Sequence, residues 1–240
     1  MRFISMHKAT ADMEAGAPPS PEVMAAMGPL MGEMTSKGIL VAGEGLRPSS
    51  LGVRLHFSDG RRTSITRGPL RGTNELTSAF SIVRAKSIDE AVEWASRFAS
   101  ASGEADIDVR PVTEHWHLGF APEPPAGTPI RFMIIQKADK QTESGKRPVT
   151  DAVLSELNRA GVLITAERLR PSSEGVRVRF RGGKRSIVDG PFTESKELIA
   201  GYAIMEVPTR DEALVWASRF AGLLGDIEMD IRPLYEPATL

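Results

Sequence analysis

Asp189 stands before Gly190-Pro191, and an aspartate in that context has two readings. Its carboxylate can close an Asx turn on its own backbone, or it can act as a general base or ligand contact if its surroundings tune its pKa toward working pH. Glu197 and Tyr202 follow in the same stretch. With Asp189 they make a candidate acid–base set, and Lys196 adds a cation for a ligand. Glu167 and Arg170 form a second candidate, repeated by Glu44 and Arg47. A carboxylate near a planar guanidinium suits either a structural ion pair or a clamp on a ligand carboxylate. His7 at a strand end could shuttle a proton, but with no partner in view it reads as a polar edge residue. His115 and His117 flank Trp116 and would share one side of an extended chain. Two such ligands without an acidic cluster are weak grounds for a metal, and none is expected.

Several classes of chemistry are excluded outright. Cysteine is absent, which removes disulfides, thiolate catalysis and Cys-based zinc sites. No P-loop or dinucleotide fingerprint occurs, so any reaction is expected to need no cofactor. Lys and Arg number 30 against 31 Asp and Glu, a balance that gives no support to nucleic-acid or anionic-membrane binding. The basic hairpin Arg177, Arg179, Arg181, Lys184 and Arg185 lacks exposed aromatic stacking platforms, and reads as a solvated or partner-facing strand. Asp226, Glu228 and Asp230 alternate with apolar residues, which reads as a charged outer sheet face. No apolar run reaches the ~18 residues of a spanning helix, and residues 1–7 carry no long apolar stretch of the kind a cleaved leader needs. A soluble, cytoplasmic protein is expected.

The elements that must position these groups occur twice. Arg2-Phe3 recurs as Arg131-Phe132. Arg47-Pro48-Ser49-Ser50 recurs as Arg170-Pro171-Ser172-Ser173, and Trp94-Ala95-Ser96-Arg97-Phe98-Ala99 as Trp216-Ala217-Ser218-Arg219-Phe220-Ala221. The chain is a tandem duplication: a first unit over 1–113, a proline-rich linker over 114–129, and a second unit over 130–237. In an extended polyproline form the linker reaches about 50 Å, enough to cross one small domain. Each unit opens with a strand. A helix follows in the first unit, capped by Ser20 with Pro21 at its first position and stopped by Gly38; Pro29 should kink or interrupt it. Methionines 24, 27, 31 and 34 read as core filler on it. Its counterpart is expected from Thr150 to Ala160. Period-two alternation over Val176, Val178 and Phe180 marks a strand. Asp59-Gly60 and Gly182-Gly183 mark hairpin turns. Ser87 to Glu90 and Thr209 to Glu212 fit capping boxes at a second helix. The order β-α-β-β-β-β-α-β gives an α+β fold, a ferredoxin-like βαββαβ core with an inserted hairpin.

The run Asp189-Gly190-Pro191-Phe192-Thr193-Glu194-Ser195-Lys196-Glu197, followed by Gly201-Tyr202, closely resembles the signature of the DGPF-domain proteins of the YCII-related family. The resemblance covers both units. It implies a dimeric α+β barrel, here as an intrachain pseudo-dimer, with further homo-oligomerisation open. It also implies an unidentified small-molecule ligand, with cofactor-independent lyase, hydrolase or isomerase chemistry as an extension. The alternative is a regulatory or interaction module, since members of this family are often encoded beside extracytoplasmic-function sigma factors. Activity in related proteins is attributed to a His–Asp pair, and no histidine stands in the first helix here. The first unit departs from the signature: Arg67 replaces Asp189, Leu70 replaces Phe192, Asn74 replaces Lys196 and Phe80 replaces Tyr202, while Glu75 remains. The second unit is therefore the expected site, with Asp189, Glu197 and Tyr202 in catalysis and Glu167, Arg170 and Lys196 on the ligand. Asp189→Asn is expected to impair it more than Arg67→Ala.

Overall fold

In a computed structural model the backbone is described for residues 1–102, 105–146, 151–192 and 195–237, with side chains for all of these except 99–102. Thr193 and Glu194 of the signature, and Thr150 at the expected helix start, lie outside the described residues. The first repeat contains β1 (Arg2–Lys8), α1 (Ala11–Glu14), α2 (Pro21–Ser36), β2 (Leu40–Gly45), β3 (Val53–Ser58), β4 (Arg61–Arg67), β5 (Thr77–Ala85), α3 (Ile88–Ser102) and β6 (Ala105–Pro111). The second contains β7 (Ile130–Lys137), α4 (Lys140–Glu143), α5 (Asp151–Arg159), β8 (Leu163–Arg168), β9 (Val176–Arg181), β10 (Lys184–Asp189), β11 (Ile199–Glu206), α6 (Arg210–Leu224) and β12 (Ile227–Pro233).

Local chemistry accounts for most of these boundaries. The Ser20 hydroxyl accepts from the Val23 N–H at the start of α2, and Gly38 takes the left-handed conformation just past its end. Helix α2 runs unbroken through Pro29, contrary to the expected interruption. Pro29 faces solvent, where water can satisfy the one carbonyl that the missing N–H leaves free. Ser87 and Thr209 each accept the N–H three residues on. The Glu90 carboxylate, however, takes the Lys86 N–H, one residue earlier than in the capping box. Both residues of each hairpin turn, Asp59-Gly60 and Gly182-Gly183, have positive φ, as a type I′ turn requires.

The strands form two antiparallel six-stranded sheets, in the orders β10-β9-β12-β1-β11-β2 and β4-β3-β6-β7-β5-β8. Each is compatible with a ferredoxin-like unit carrying an extra hairpin, but neither coincides with one repeat. Strands β1 and β2 of the first repeat complete the sheet of the second, and β7 and β8 complete the sheet of the first. The cause lies in residues 112–129. They do not cross a domain; they turn the chain back so that β7 pairs antiparallel with β6, Val109 opposite Ile134. Glu114 holds this return by accepting from the Arg131 backbone and guanidinium.

Helices α2 and α6 cover the outer face of the first sheet over a core that includes Phe3, Met34, Val176, Met229 and Trp216. Helices α3 and α5 cover the second over Leu55, Val92, Phe98, Ile134 and Leu157. The inner faces meet in a third core that joins Ile4, Met6, Tyr202 and Ile204 to Phe80, Ile82, Met133 and Ile135. The layers are therefore helix, sheet, sheet, helix. Among the described residues no helix is long and apolar enough to cross a membrane.

Candidate functional site

The inner faces are apolar on β1, β11, β7 and β5, and charged on the neighbouring strands. On β3 and β6, Arg54 grips Asp108 through Nε and Nη2, at 2.6 and 2.8 Å. Lys137 Nζ lies 2.8 Å from the same carboxylate. Glu75 closes this first cluster. It accepts from Arg54 Nη2 at 2.9 Å and the Thr73 N–H at 3.0 Å, and pairs with Lys137. All four charged side chains are at least nine-tenths buried. Burial alone would raise the Asp108 pKa, but Lys137 and Arg54 override it and hold the carboxyl down to about 2.

The second cluster is built on the same plan from the other sheet. Arg177 grips Asp230 through Nε and Nη2 at 2.6 and 3.0 Å, and Lys8 Nζ lies 2.9 Å from Asp230. Burial again works against the Asp230 carboxylate, and Lys8 and Arg177 again keep its pKa below the ordinary value. The expectation of a charged outer face and a solvated or partner-facing hairpin holds for Asp226, Arg179, Arg181, Lys184 and Arg185, which are exposed, and is corrected for Asp230 and Arg177. Asp230 and Arg177 are buried at 1% and 6% exposure, because at these two positions the polar face meets a second sheet instead of water. Glu228 and Arg179 pair beside them.

One difference separates the clusters. Glu197 holds the chain position of Glu75 in the repeat, yet it is exposed and makes no hydrogen bond or ion pair among the described residues. It retains only an electrostatic influence on Arg177. Among the described residues Lys8, 2% exposed, therefore has Asp230 alone where Lys137 has two carboxylates. Arg177 instead stacks its guanidinium on the Phe192 ring at 4.4 Å, a contact that Leu70 cannot offer in the first half.

The signature itself is a docking turn. A Cβ on Gly190 would lie 1.8 Å from the Ser172 carbonyl oxygen, and one on Gly68 1.9 Å from that of Ser49; only glycine fits. The Phe192 and Leu70 N–H groups donate to the Ser172 and Ser49 hydroxyls, both at 3.1 Å. Those hydroxyls bond to Glu143 and Glu14. The same carboxylates meet the buried guanidinium groups of Arg232 and Arg110, which reach across to the Thr77 and Ile199 carbonyls of the opposite sheet. Arg110-Pro111 recurs as Arg232-Pro233, and in the sequence these arginines, like Ser49 and Ser172, mark only the repeat. Their recurrence beside proline was the available signal.

The six residues expected at the site do not converge. Asp189 ends β10, and its exposed carboxylate lies 3.0 Å from Arg210 Nη1 at the start of α6. It pairs with Val176 in register, which puts it on the helix-facing side, away from Lys8 and Asp230. At the matching position Arg67 pairs with Asp89 at 2.7 Å: the same strand-to-helix tie with the charges reversed. Tyr202 is buried at the centre, its ring 4.8 Å from that of Phe80. Burial, with Glu44 and Glu167 adding to it, pushes the phenol pKa up and keeps the hydroxyl neutral. Glu167 pairs with Arg2, and Glu44 with Arg131. The expected pairing with Arg170 and Arg47 is corrected, because residues three apart at a strand end leave on different sides. Arg170 pairs with Glu174 at 2.8 Å and lies 5.5 Å from the Tyr235 ring centroid. Lys196 is exposed.

The histidines also differ from expectation. His7 is no free edge residue; it packs on the helix side with its ring 5.6 Å from Phe220. Desolvation, then Lys8, pushes its pKa down to about 4. His115 and His117 lie on a 3-10 turn instead of an extended chain, and His117 Nδ1 accepts the Glu114 N–H at 2.9 Å. Among the described residues no group of three or more His, Asp or Glu side chains is arranged to hold a metal.

The comparisons find the same repeat in the sequence. The family model for the YCII-related domain matches residues 1–114 and again 130–221, and the chain belongs to that family. An uncharacterised protein of Rhizobium meliloti is 31% identical over 103 residues, which span 41% of this chain and 83% of that protein. No solved structure matches.

Proposed function

We propose that this YCII-related protein binds a small molecule on the inner face of the first sheet, beside Lys8, Arg177 and Asp230. The observation that carries the reading is the contrast between the two clusters. The buried Lys137 meets both Asp108 and Glu75, whereas among the described residues the equally buried Lys8 meets Asp230 alone. Asp230, held ionised by Lys8 and Arg177, is a poor proton acceptor at neutral pH, which favours binding over acid–base work at this cluster. The dimeric α+β barrel belongs to the same proposal and is supported by the core shared between the two inner faces.

A second reading, acid–base catalysis, draws on Glu167. Burial raises its pKa and its Oε2 has no hydrogen-bond partner, the profile of a carboxyl tuned toward neutral pH. It borders a crevice of about 10 Å³ with Phe80, Gln136 and Arg168, room for about one water and too small for a substrate. The binding reading is preferred on the contrast between Lys8 and Lys137. Amide chemical-shift mapping against a library of anionic, neutral and cationic fragments tests it. Hits should perturb β1, β9 and β12; hits confined to the Glu167 crevice or to the Asp189–Arg210 edge would remove it.

A further inference from the structure

We propose that β10 is a self-association edge: a second copy of the chain adds its own β10 antiparallel to the first, with Ile187 opposite Ile187 and Arg185 opposite Asp189 on both sides of the symmetry axis. The inference is independent of the binding reading above.

Among the described residues the two sheets end in the edge strands β10, β2, β4 and β8. An edge offers unpaired backbone groups to any incoming strand, and a bulge is a common way of blunting it. The pairing skips Val41 in β2, Ile164 in β8 and Thr63 in β4. Strand β10 alone of these runs against its neighbour in unbroken register, from Lys184 opposite Arg181 to Asp189 opposite Val176. All of its residues are exposed, Ile187 at 43% and Val188 at 46%, so no helix stands over this edge.

The turn decides which backbone groups point outward. The residues flanking a two-residue hairpin turn form a hydrogen-bonded pair, and such pairs then alternate along the strands. Lys184, Ser186 and Val188 therefore bond to β9, and the Gly190 N–H, bonded to the Gly175 carbonyl at 3.1 Å, continues the alternation. The N–H and C=O groups of Arg185, Ile187 and Asp189 are turned away from β9. The same three residues share one side of the sheet, opposite Phe180, Val178 and Val176.

Their order is cation, apolar, anion, which is complementary to itself when read backwards. An antiparallel copy centred on Ile187 brings each Arg185 opposite an Asp189 and each outward N–H opposite an outward carbonyl, so backbone and side chains ask for one register. Arg185 makes no hydrogen bond or ion pair among the described residues. Asp189 keeps its tie to Arg210 at 3.0 Å, and a carboxylate has acceptor sites for a second cation. The repeat provides the contrast. Thr63, Ile65 and Arg67 hold the matching positions on β4, which carries Arg61, Arg62 and Arg67 with no acid. A copy docked there meets like charge. The interface is one short strand per chain, at the small end for specific association, so dimer and monomer should exchange.

Sedimentation of the full chain from micromolar to millimolar concentration, with amide hydrogen exchange, tests this. The mass should rise toward twice that of the chain. Exchange at Arg185, Ile187 and Asp189 should slow as concentration rises, while exchange at Ile65 and Arg67 should not. Arg185→Asp and Asp189→Arg should each weaken self-association by about tenfold, because both symmetric contacts become like-charged. The double variant should restore it, and the two single variants mixed together should associate with each other, since every contact is again opposite in sign. Ile65→Lys should have no effect. Ile187→Pro removes an outward N–H without costing a bond to β9 and should leave a folded monomer; if one variant does not fold, the others and the exchange pattern still decide. A monomer at every concentration, a dimer indifferent to Arg185→Asp and Ile187→Pro, single-variant losses that neither the double variant nor mixing restores, or protection appearing at β2, β4 or β8 instead would each overturn the inference.

Discussion

The two halves of this molecule share a plan down to individual hydrogen bonds, yet one glutamate faces inward and its counterpart faces out. Arg54 and Arg177 each hold an aspartate on the next strand. Ser49 and Ser172 each receive a signature loop. What differs is the short segment after that loop. In the first half it carries Glu75 between Arg54 and Lys137; in the second Phe192 takes over one face of Arg177 and Glu197 stays in solvent. In both halves the glycine of the loop lies so close to a serine carbonyl that only glycine fits. Whether the residue eight positions past Arg67 or Asp189 returns to the cluster decides how many carboxylates the buried lysine meets among the described residues.

The sharpest way to break the comparison is to neutralise each glutamate. Glu75→Gln leaves Arg54 and Lys137 short of a buried partner and should cost about 3–5 kcal/mol. Glu197→Gln, at the surface, should change stability by less than about 0.5 kcal/mol. Equal losses in denaturant unfolding would erase the distinction. Gly68→Ala and Gly190→Ala probe what the halves have in common. Each forces a Cβ into a backbone carbonyl and should cost about 2–3 kcal/mol, with the two values close to one another.

Acid titration sharpens the first cluster. The Asp108 pKa is lowered in the folded state from 3.8 to about 2, so its contribution is complete above about pH 4 and is lost as pH falls toward 2. The shift corresponds to about 2 kcal/mol, and the stability of Asp108→Asn should be flatter across that window. The smallest effect is expected at the signature aspartate. Asp189→Asn and Arg67→Ala each remove one exposed strand-to-helix ion pair and should cost less than about 1 kcal/mol. The reciprocal exchange Asp189→Arg with Arg210→Asp should recover the difference. A loss of ligand binding in Asp189→Asn with stability intact would return that residue to the site.

Much of the local structure was legible because it is encoded locally. Ser20, Ser87 and Thr209 cap helices, and Asp59-Gly60 and Gly182-Gly183 turn hairpins; each needs only its neighbours. Sheet composition was not, because β1 and β7 are repeat equivalents with the same Arg-Phe opening and apolar pattern, and either could pair with β11 and β12 or with β5 and β6. The connection between β6 and β7 decides between them. The charged clusters were misread for a related reason. Alternating polar residues on β9 and β12 normally mark a face toward water, and nothing in period two distinguishes water from the polar face of a second sheet. Tyr202 was legible as a departure from Phe80, but the carboxylates that act on its hydroxyl, Glu44 and Glu167, come from two different repeats.

The exchange of strands between the repeats has a mechanical consequence. Each repeat lends its opening β-α-β segment to the other's sheet, so the boundary between the sequence units runs through both hydrogen-bonded layers and separates neither. A protease cut between Gly119 and Thr128 would sever the chain without releasing either piece, because each fragment would still be clasped along whole strands by the other. Separation would require opening both sheets at once, and the nicked protein should melt in a single transition.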